Sequence, residues 1–272
     1  TVRSMRTSSI LTTVLCLGLA VAWTGAAWAE LQPYSARYSI YRNGKLTGKL
    51  EIRLAPEGER WALRSELRGT HGLARILRAS DTEHVIGKQD DEGRFVPLEH
   101  ARHTRVAGVD DRWVSTFDWA ADRVQVVHDG KDRYDLPLDG RALDPMSLKL
   151  EIQRRLREAD PDLEFLMVEE DEIDPQKFRE LEHEWTETAL GCLQTIPLEK
   201  VRRNNRRYTR AWHATDFGNV EVRLEHGKTG GDHLEMRITE LTWNGVKVTP
   251  RPGCAARQSR PAGDATPQAE GG

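Results

Sequence analysis

Apolar residues recur at every second position through much of this chain, the period of a strand with one buried face. Tyr34, Ala36, Tyr38 and Ile40 share one face of a first predicted strand. Asn43-Gly44 follows, a hairpin signal because both residues tolerate positive φ. Leu46, Gly48, Leu50, Ile52 and Leu54 form the apolar face of the returning strand. After Pro56-Glu57-Gly58, the positions Trp61, Leu63, Ser65 and Leu67 continue the meander. A less regular stretch from Gly69 to Ser80 precedes further strands over Asp81–Gly87, Phe95–Arg105, Trp113–Trp119 and Arg123–His128, with Ala120-Ala121-Asp122 turning the last pair into a hairpin. Near the C-terminus Val220, Val222 and Leu224 alternate, as do Leu234, Met236 and Ile238, around a turn at Gly227–Asp232. Short connections between such strands define an all-β architecture.

One helix interrupts it. Asp144 suits an N-cap, Pro145 the first helical position, and Leu148, Ile152 and Leu156 recur every four residues as an apolar stripe. Arg154, Arg155 and Arg157 place positive charge in the last turns, where it complements the helix dipole. The pattern predicts a mainly β protein: a curved antiparallel sheet or incomplete β-barrel of about ten strands with one packed α-helix. The ordered domain is expected over residues 30–249, with an internal joint near 160–176 between an N-terminal and a C-terminal sheet. Residues 250–272, rich in Pro, Gly, Ala, Arg and Gln without an apolar period, are expected to form a disordered tail.

The first 29 residues depart from this pattern. Arg3 and Arg6 form a basic head, Ile10–Leu19 an apolar run, and Ala27-Trp28-Ala29 a small-x-small cleavage pattern, together a secretory signal peptide. Met5 then marks the start of translation and Glu30 the start of the mature chain. The run is shorter than the roughly 20 apolar residues of a membrane span. Cys16 follows Leu15 inside it, unlike a lipoprotein cysteine, and the two arginines are not adjacent as in a twin-arginine signal. Ordinary export to a bacterial periplasm is the expectation, with no transmembrane span after cleavage.

Charge narrows the partners. Lys and Arg number 40 against 43 Asp and Glu, a net charge of −3, and the leader holds arginines but no acid. The mature protein is therefore acidic, and together with its compartment this argues against nucleic-acid binding. Cys192 and Cys254 remain after cleavage. An oxidising compartment permits a bridge between them, free thiols being the alternative.

Several patterns recur in a known family. They are Tyr34…Tyr38…Gly44…Gly48, Phe117-Asp118-Trp119, Leu143-Asp144-Pro145-Met146-Ser147, Thr188…Gly191 and Arg210-Ala211-Trp212-His213-Ala214. In their order and spacing the chain resembles the bacterial envelope family called domain of unknown function 3108, over roughly Tyr34 to Trp243. Gly218-Asn219-Val220 stands where family members often carry Leu-Pro-Val. The resemblance implies an exported, β-rich protein and brings no catalytic residues with it.

The residues offer no convincing active site. His100 and His103 would face opposite sides of a strand, and His183, His213, His226 and His233 are scattered, so no metal or cofactor is expected. Glu169-Glu170-Asp171-Glu172 with Asp174 lacks the glycine of a calcium loop and reads as a solvated acidic loop. Glu180, Glu182 and Glu184 alternate with Leu181, His183 and Trp185 as one water-facing strand. Ser147 lacks a Gly-x-Ser-x-Gly elbow and suits the helix start, and nothing around Cys192 suggests a lowered pKa.

Two features suggest binding instead. Arg202, Arg203, Arg206, Arg207 and Arg210 could grip phosphate, or simply neutralise the acidic strands. Tryptophans on alternating strands could fill a core or line a cavity for one greasy molecule. The expected function is non-catalytic binding of a lipid-like or amphipathic envelope molecule. Tyr38, Leu50, Trp61, Phe117, Leu148 and Trp212 would line or border the cavity, with Arg206 and Arg207 meeting an anionic head. The alternatives are a scaffold with a filled core that serves an envelope protein partner, and a hydrolase whose site is assembled only by folding.

Overall fold

Asn43 and Gly44 both adopt positive φ, 51° and 74°, and join β1 (Tyr34–Arg42) to β2 (Lys45–Glu57) in a two-residue hairpin. The structure, a computed structural model, describes residues 31–138, 140–203 and 206–258. The signal-peptide expectation therefore lies outside the described residues. From β2 a meander continues through β3 (Arg60–Gly69), β4 (Ser80–Gln89), β5 (Phe95–Val106), β6 (Val109–Asp118), β7 (Arg123–His128) and β8 (Asp132–Pro137), each antiparallel to the last. A short α1 (Gly72–Ile76) sits between β3 and β4.

The two-residue β9 (Ala142–Leu143) leads into α2 (Pro145–Arg157). Asp144 caps this helix, its Oδ1 accepting the N–H groups of Met146 and Ser147 at 2.9 and 3.0 Å. The chain then forms β10 (Glu164–Glu169), β11 (Glu172–Glu180), β12 (Glu184–Thr188), β13 (Gly191–Lys200), β14 (Arg207–Ala214), β15 (Val220–Lys228), β16 (His233–Trp243), β17 (Val246–Lys247) and α3 (Cys254–Gln258). β16 pairs with β1, so one sheet runs from β8 back to β1, across to β16, and on through β13 and β11 to β9. Residues 160–176, where a joint is expected, carry the helix exit and the β10–β11 hairpin, which continues this same sheet.

The sheet has 17 strands rather than about ten, and three α-helices rather than one, among the described residues. The additional strands carry little alternation to read. β11 buries only Gln176, and β8 buries none of its six residues. β17 is two residues long, although Asn244-Gly245 before it repeats the hairpin signal with φ of 48° and 78°. The water-facing strand expected through Glu180–Glu184 breaks at 181–183, opposite Pro197. Pro197 has no N–H to donate there, and only its carbonyl accepts, from Leu181 at 2.9 Å.

No hydrogen-bonded ladder joins β8 to β9 or β10 among the described residues. The two ends of the sheet meet through side chains instead, with Phe117, Val124 and Val126 packing on Ala142 and Val168. Inside the curl lies α2. Met146 and Leu150 join the main core with Tyr38, Trp61 and Ile238, while Leu148, Ile152 and Leu156 join a second cluster with Phe165 and Leu198. The Trp61 ring lies against Gly87, where a Cβ would come within 2.2 Å of it. Its edge meets Phe95 at 5.5 Å between centroids.

Residues 250–258, within the expected tail, are held on β13. Arg251 N–H donates to the Leu190 carbonyl, Cys192 N–H donates to the Pro252 carbonyl, and Cys192 and Cys254 form a disulfide. Gly191, at φ 96°, permits the approach, since a Cβ there would lie 2.3 Å from the Arg251 carbonyl oxygen. Leu150→Ala should cost about 2–5 kcal/mol in urea unfolding, because both sides of α2 are packed. Cys192→Ser should cost about 2–4 kcal/mol, matched by adding reductant to the wild type.

Candidate functional site

Leu148 and Ile152 stand one helical turn apart on α2 and face β10, β11, β13, β14 and β15 across a cavity of about 250 Å³. Met167, Phe178, Leu198 and Leu224 supply the rest of its apolar wall. Leu198 and Lys200 are two residues apart on β13, so both point into it. Arg202, just beyond the strand, lines it as well. One cavity thus combines aliphatic and aromatic carbon with cations.

The charges there are unevenly matched. Lys149 Nζ lies 3.6 Å from Glu221 Oε2, so these two offset each other. Glu221 Oε1 is buried without a hydrogen-bond partner. The His213 ring is buried, Nδ1 donating to the Asn219 carbonyl at 3.0 Å, and burial holds its pKa below the usual value and keeps it neutral at neutral pH. Lys200 and Arg202 make no ion pair among the described residues. Arg202 instead donates to Thr209 Oγ1 at 3.1 Å. Burial, followed by the neighbouring Arg202, lowers the Lys200 pKa. An adjoining hollow of about 320 Å³ shares Lys200 and Arg202 and adds Arg207, Tyr208 and the ion-paired Arg179 and Glu199. Two cations without an ion pair thus border the cavity, with Glu169 and Asp174 partly offsetting the effect of burial on Lys200.

A second cavity, of about 310 Å³, lies at the other end of α2 against Phe95, Trp119 and Phe165. Its charges are already matched. Arg155 stacks on the Phe165 ring at 4.5 Å and pairs with Asp162 at 2.8 Å, Lys177 pairs with Glu164, and Arg141 with Asp90. Glu151 takes both Nε and Nη2 of Arg154 and the N–H of Phe95. Those groups hold the fold together rather than await a ligand.

Of the residues singled out from sequence, Leu148 lines the first cavity and Arg207 the adjoining hollow. Tyr38 and Trp61 are packed in the main core, and Leu50 flanks it. The Tyr38 hydroxyl donates to the Glu221 carbonyl at 2.8 Å, and burial raises its pKa well above the usual value. Phe117 belongs to the cluster that joins the ends of the sheet. Trp212 is buried with its Nε1 donating to Glu184 at 2.5 Å. Arg206 lies in the exposed turn before β14. Arg202 belongs to the basic stretch singled out from sequence, whereas sequence reasoning misses Lys200, although Ile196, Leu198 and Lys200 continue one alternating face into that stretch.

The histidines separate. His100 and His103 do face opposite sides of β5: the first is buried against Glu83 at 3.2 Å, the second pairs with Asp110 at 2.7 Å. Burial works against a charged His100, but Asp144 and Glu83 outweigh it and raise its pKa. His183 meets Glu180 at 2.6 Å on the open surface, outside any cavity described. His226 and His233 bond Thr209 and Tyr208. Ser147 is buried with its hydroxyl on Asp144, closing the helix start. Pairing of β6 with β7 gathers Asp111, His128 and Asp129, whose ligand-type atoms lie within 4.8 Å of one another. That imidazole is already engaged, stacked on Trp113 at 4.1 Å and bonded to Asp111 at 2.7 Å.

Among solved structures, the chain is similar to a candidate lipoprotein from Parabacteroides distasonis at 10% identity, covering 78% of this chain and 96% of that one with a TM-score of 0.34. It is also similar to a candidate exported protein with a YmcC-like fold from Bacteroides fragilis at 9% identity, covering 77% and 95% with a TM-score of 0.31. No curated protein matches the chain. A family model described as a protein of unknown function, DUF3108, matches residues 36–239.

The two buried histidines predict opposite pH dependences. His213 has a folded pKa below its unfolded value of about 6.5, so the native state loses stability as pH falls below that value. His213→Asn should therefore lose less stability than wild type between about pH 8 and about pH 5. His100 has a raised folded pKa, so its contribution is complete below the unfolded value and disappears as pH rises through the folded one. His100→Gln should be most destabilised, relative to wild type, at the acid end. Urea titrations across this range measure both slopes.

Proposed function

The chain belongs to the DUF3108 family, and from that premise and the cavity beside α2 we propose that it is an exported, non-catalytic protein that binds an anionic amphiphile. The observation that carries this reading is the union of an apolar wall with two unpaired cations. Leu148, Ile152, Phe178 and Leu198 would hold carbon, while Lys200 and Arg202 meet a carboxylate or phosphate head. Arg207 in the adjoining hollow extends the same positive surface. At about 250 Å³ the cavity is small beside the roughly 300–1,000 Å³ of typical ligand sites. It suits a single short chain and its head, not a whole two-chain lipid. Export to the periplasm is supported by the leader pattern and by the Cys192–Cys254 disulfide.

Laurate is the probe. The full-length exported protein should bind it with one-to-one stoichiometry in calorimetry, and native mass spectrometry of protein isolated from the envelope should reveal an anionic amphiphile. Lys200→Gln with Arg202→Gln should weaken laurate at least about tenfold, because each charge-assisted hydrogen bond is worth about 1.5–3 kcal/mol. Ala211→Phe, which fills the cavity from β14, should abolish binding while the fold persists. Absence of both laurate binding and a co-purifying molecule would overturn the reading in favour of an interaction protein with a filled core.

A further inference from the structure

α1 buries none of its side chains, an unusual state for a segment with the sequence Gly-Leu-Ala-Arg-Ile. Ala74 presses on Gly69, where a Cβ would lie 2.6 Å from the Ala74 carbonyl oxygen. This seats the helix on β3 and leaves Leu73 and Ile76 outward, 68% and 76% exposed. The Ala107 N–H donates to the Leu77 carbonyl at 2.9 Å, which fastens the β5–β6 turn alongside. That turn presents Val106 and Val109, 39% and 68% exposed. Four exposed aliphatic side chains thus gather on one knuckle. It projects into solvent, since a Cβ added at Gly72 or Gly108 would touch nothing.

The collar around this knuckle is basic. Arg68, Arg75, Arg78, Arg105 and His103 surround a shallow hollow beside it. Arg68 is matched by Glu66, and Arg105 with His103 by Asp110. Arg75 and Arg78 have no ion pair among the described residues. Outside this collar the chain as a whole is acidic, so the local excess of positive charge runs against the general trend. Aliphatic side chains beside two arginines without an ion pair, Arg75 and Arg78, match the anionic headgroups and acyl boundary of a lipid bilayer.

We propose that the α1 and β5–β6 knuckle docks the protein on an anionic membrane surface, with Leu73, Ile76, Val106 and Val109 entering the interface and Arg75 and Arg78 meeting lipid phosphates. The site is separate from the cavity beside α2 and stands without it. Sedimentation of the full-length exported protein with vesicles tests it. Protein should pellet with vesicles containing phosphatidylglycerol and stay in solution with phosphatidylcholine alone. High salt should release it, because the arginines are exposed.

Leu73→Ser with Ile76→Ser, and separately Arg75→Glu with Arg78→Glu, should each return the bound fraction to that seen with phosphatidylcholine. These side chains are exposed, so the variants should keep the wild-type melting temperature and laurate binding. Failure of the wild type to pellet with either vesicle, or pelleting unchanged in both variants, would overturn the proposal. So would a dimer in sedimentation velocity that Leu73→Ser with Ile76→Ser converts to monomer, since the knuckle would then face a second copy of the chain.

Discussion

A helix buried on nearly every side imposes the remaining architecture. Nine residues of α2 are buried, and Ser147, Glu151, Gln153 and Arg154 are among them. No flat sheet can cover two opposite sides of a helix, so the sheet must curl around it, and a long meander with bulges provides the curl. Register shifts between Arg37 and Tyr38, and between Ile40 and Tyr41, bend β1 at the middle of the sheet. The ends of the sheet then come close enough for Phe117 and Val124 to pack on Ala142 and Val168.

Enclosure also dictates the chemistry of the interior. Every polar group carried inward on α2 needs a partner, because an unmatched buried polar atom costs about 1–3 kcal/mol. Gln153 reaches the Tyr34 hydroxyl and, through its carbonyl, the Asn219 amide, each at 3.4 Å. Glu151 gathers Arg154 and the Phe95 N–H. These bonds tie the helix to β1, β5 and the turn before β15. Where the enclosure loosens, beside Leu148 and Ile152, the cavity remains, and there the matching of charge also lapses at Lys200 and Arg202.

The outer surface repeats the contrast between matched and unmatched charge. Arginine and carboxylate alternate over much of the sheet in pairs such as Arg37 with Glu51 and Arg210 with Glu199. Such exposed pairs add little stability individually, and each leaves its own stretch of the sheet locally neutral. At α1 the pairing stops at Arg75 and Arg78, next to exposed aliphatic side chains. Both candidate binding regions coincide with cations that have no ion pair among the described residues.

Local patterns give the β class, the Asn43-Gly44 hairpin, the nine strands β1–β7, β15 and β16, and α2 with its Asp144 cap, because each depends on neighbours within a few residues. Strands such as β8, β11 and β17 are not legible, since they bury at most one residue each and are defined by their pairing rather than by an apolar period. The same distinction separates the sites. Leu148 and Arg207 are readable as an apolar helix position and a basic cluster, but Tyr38, Trp61 and Trp212, expected to line or border a cavity, pack in the main core. Alternation shows that a side chain faces inward and says nothing about whether the inside is occupied. Only the tertiary structure decides that, by packing α2 against Tyr34 and the main core and leaving space toward Phe178 and Lys200.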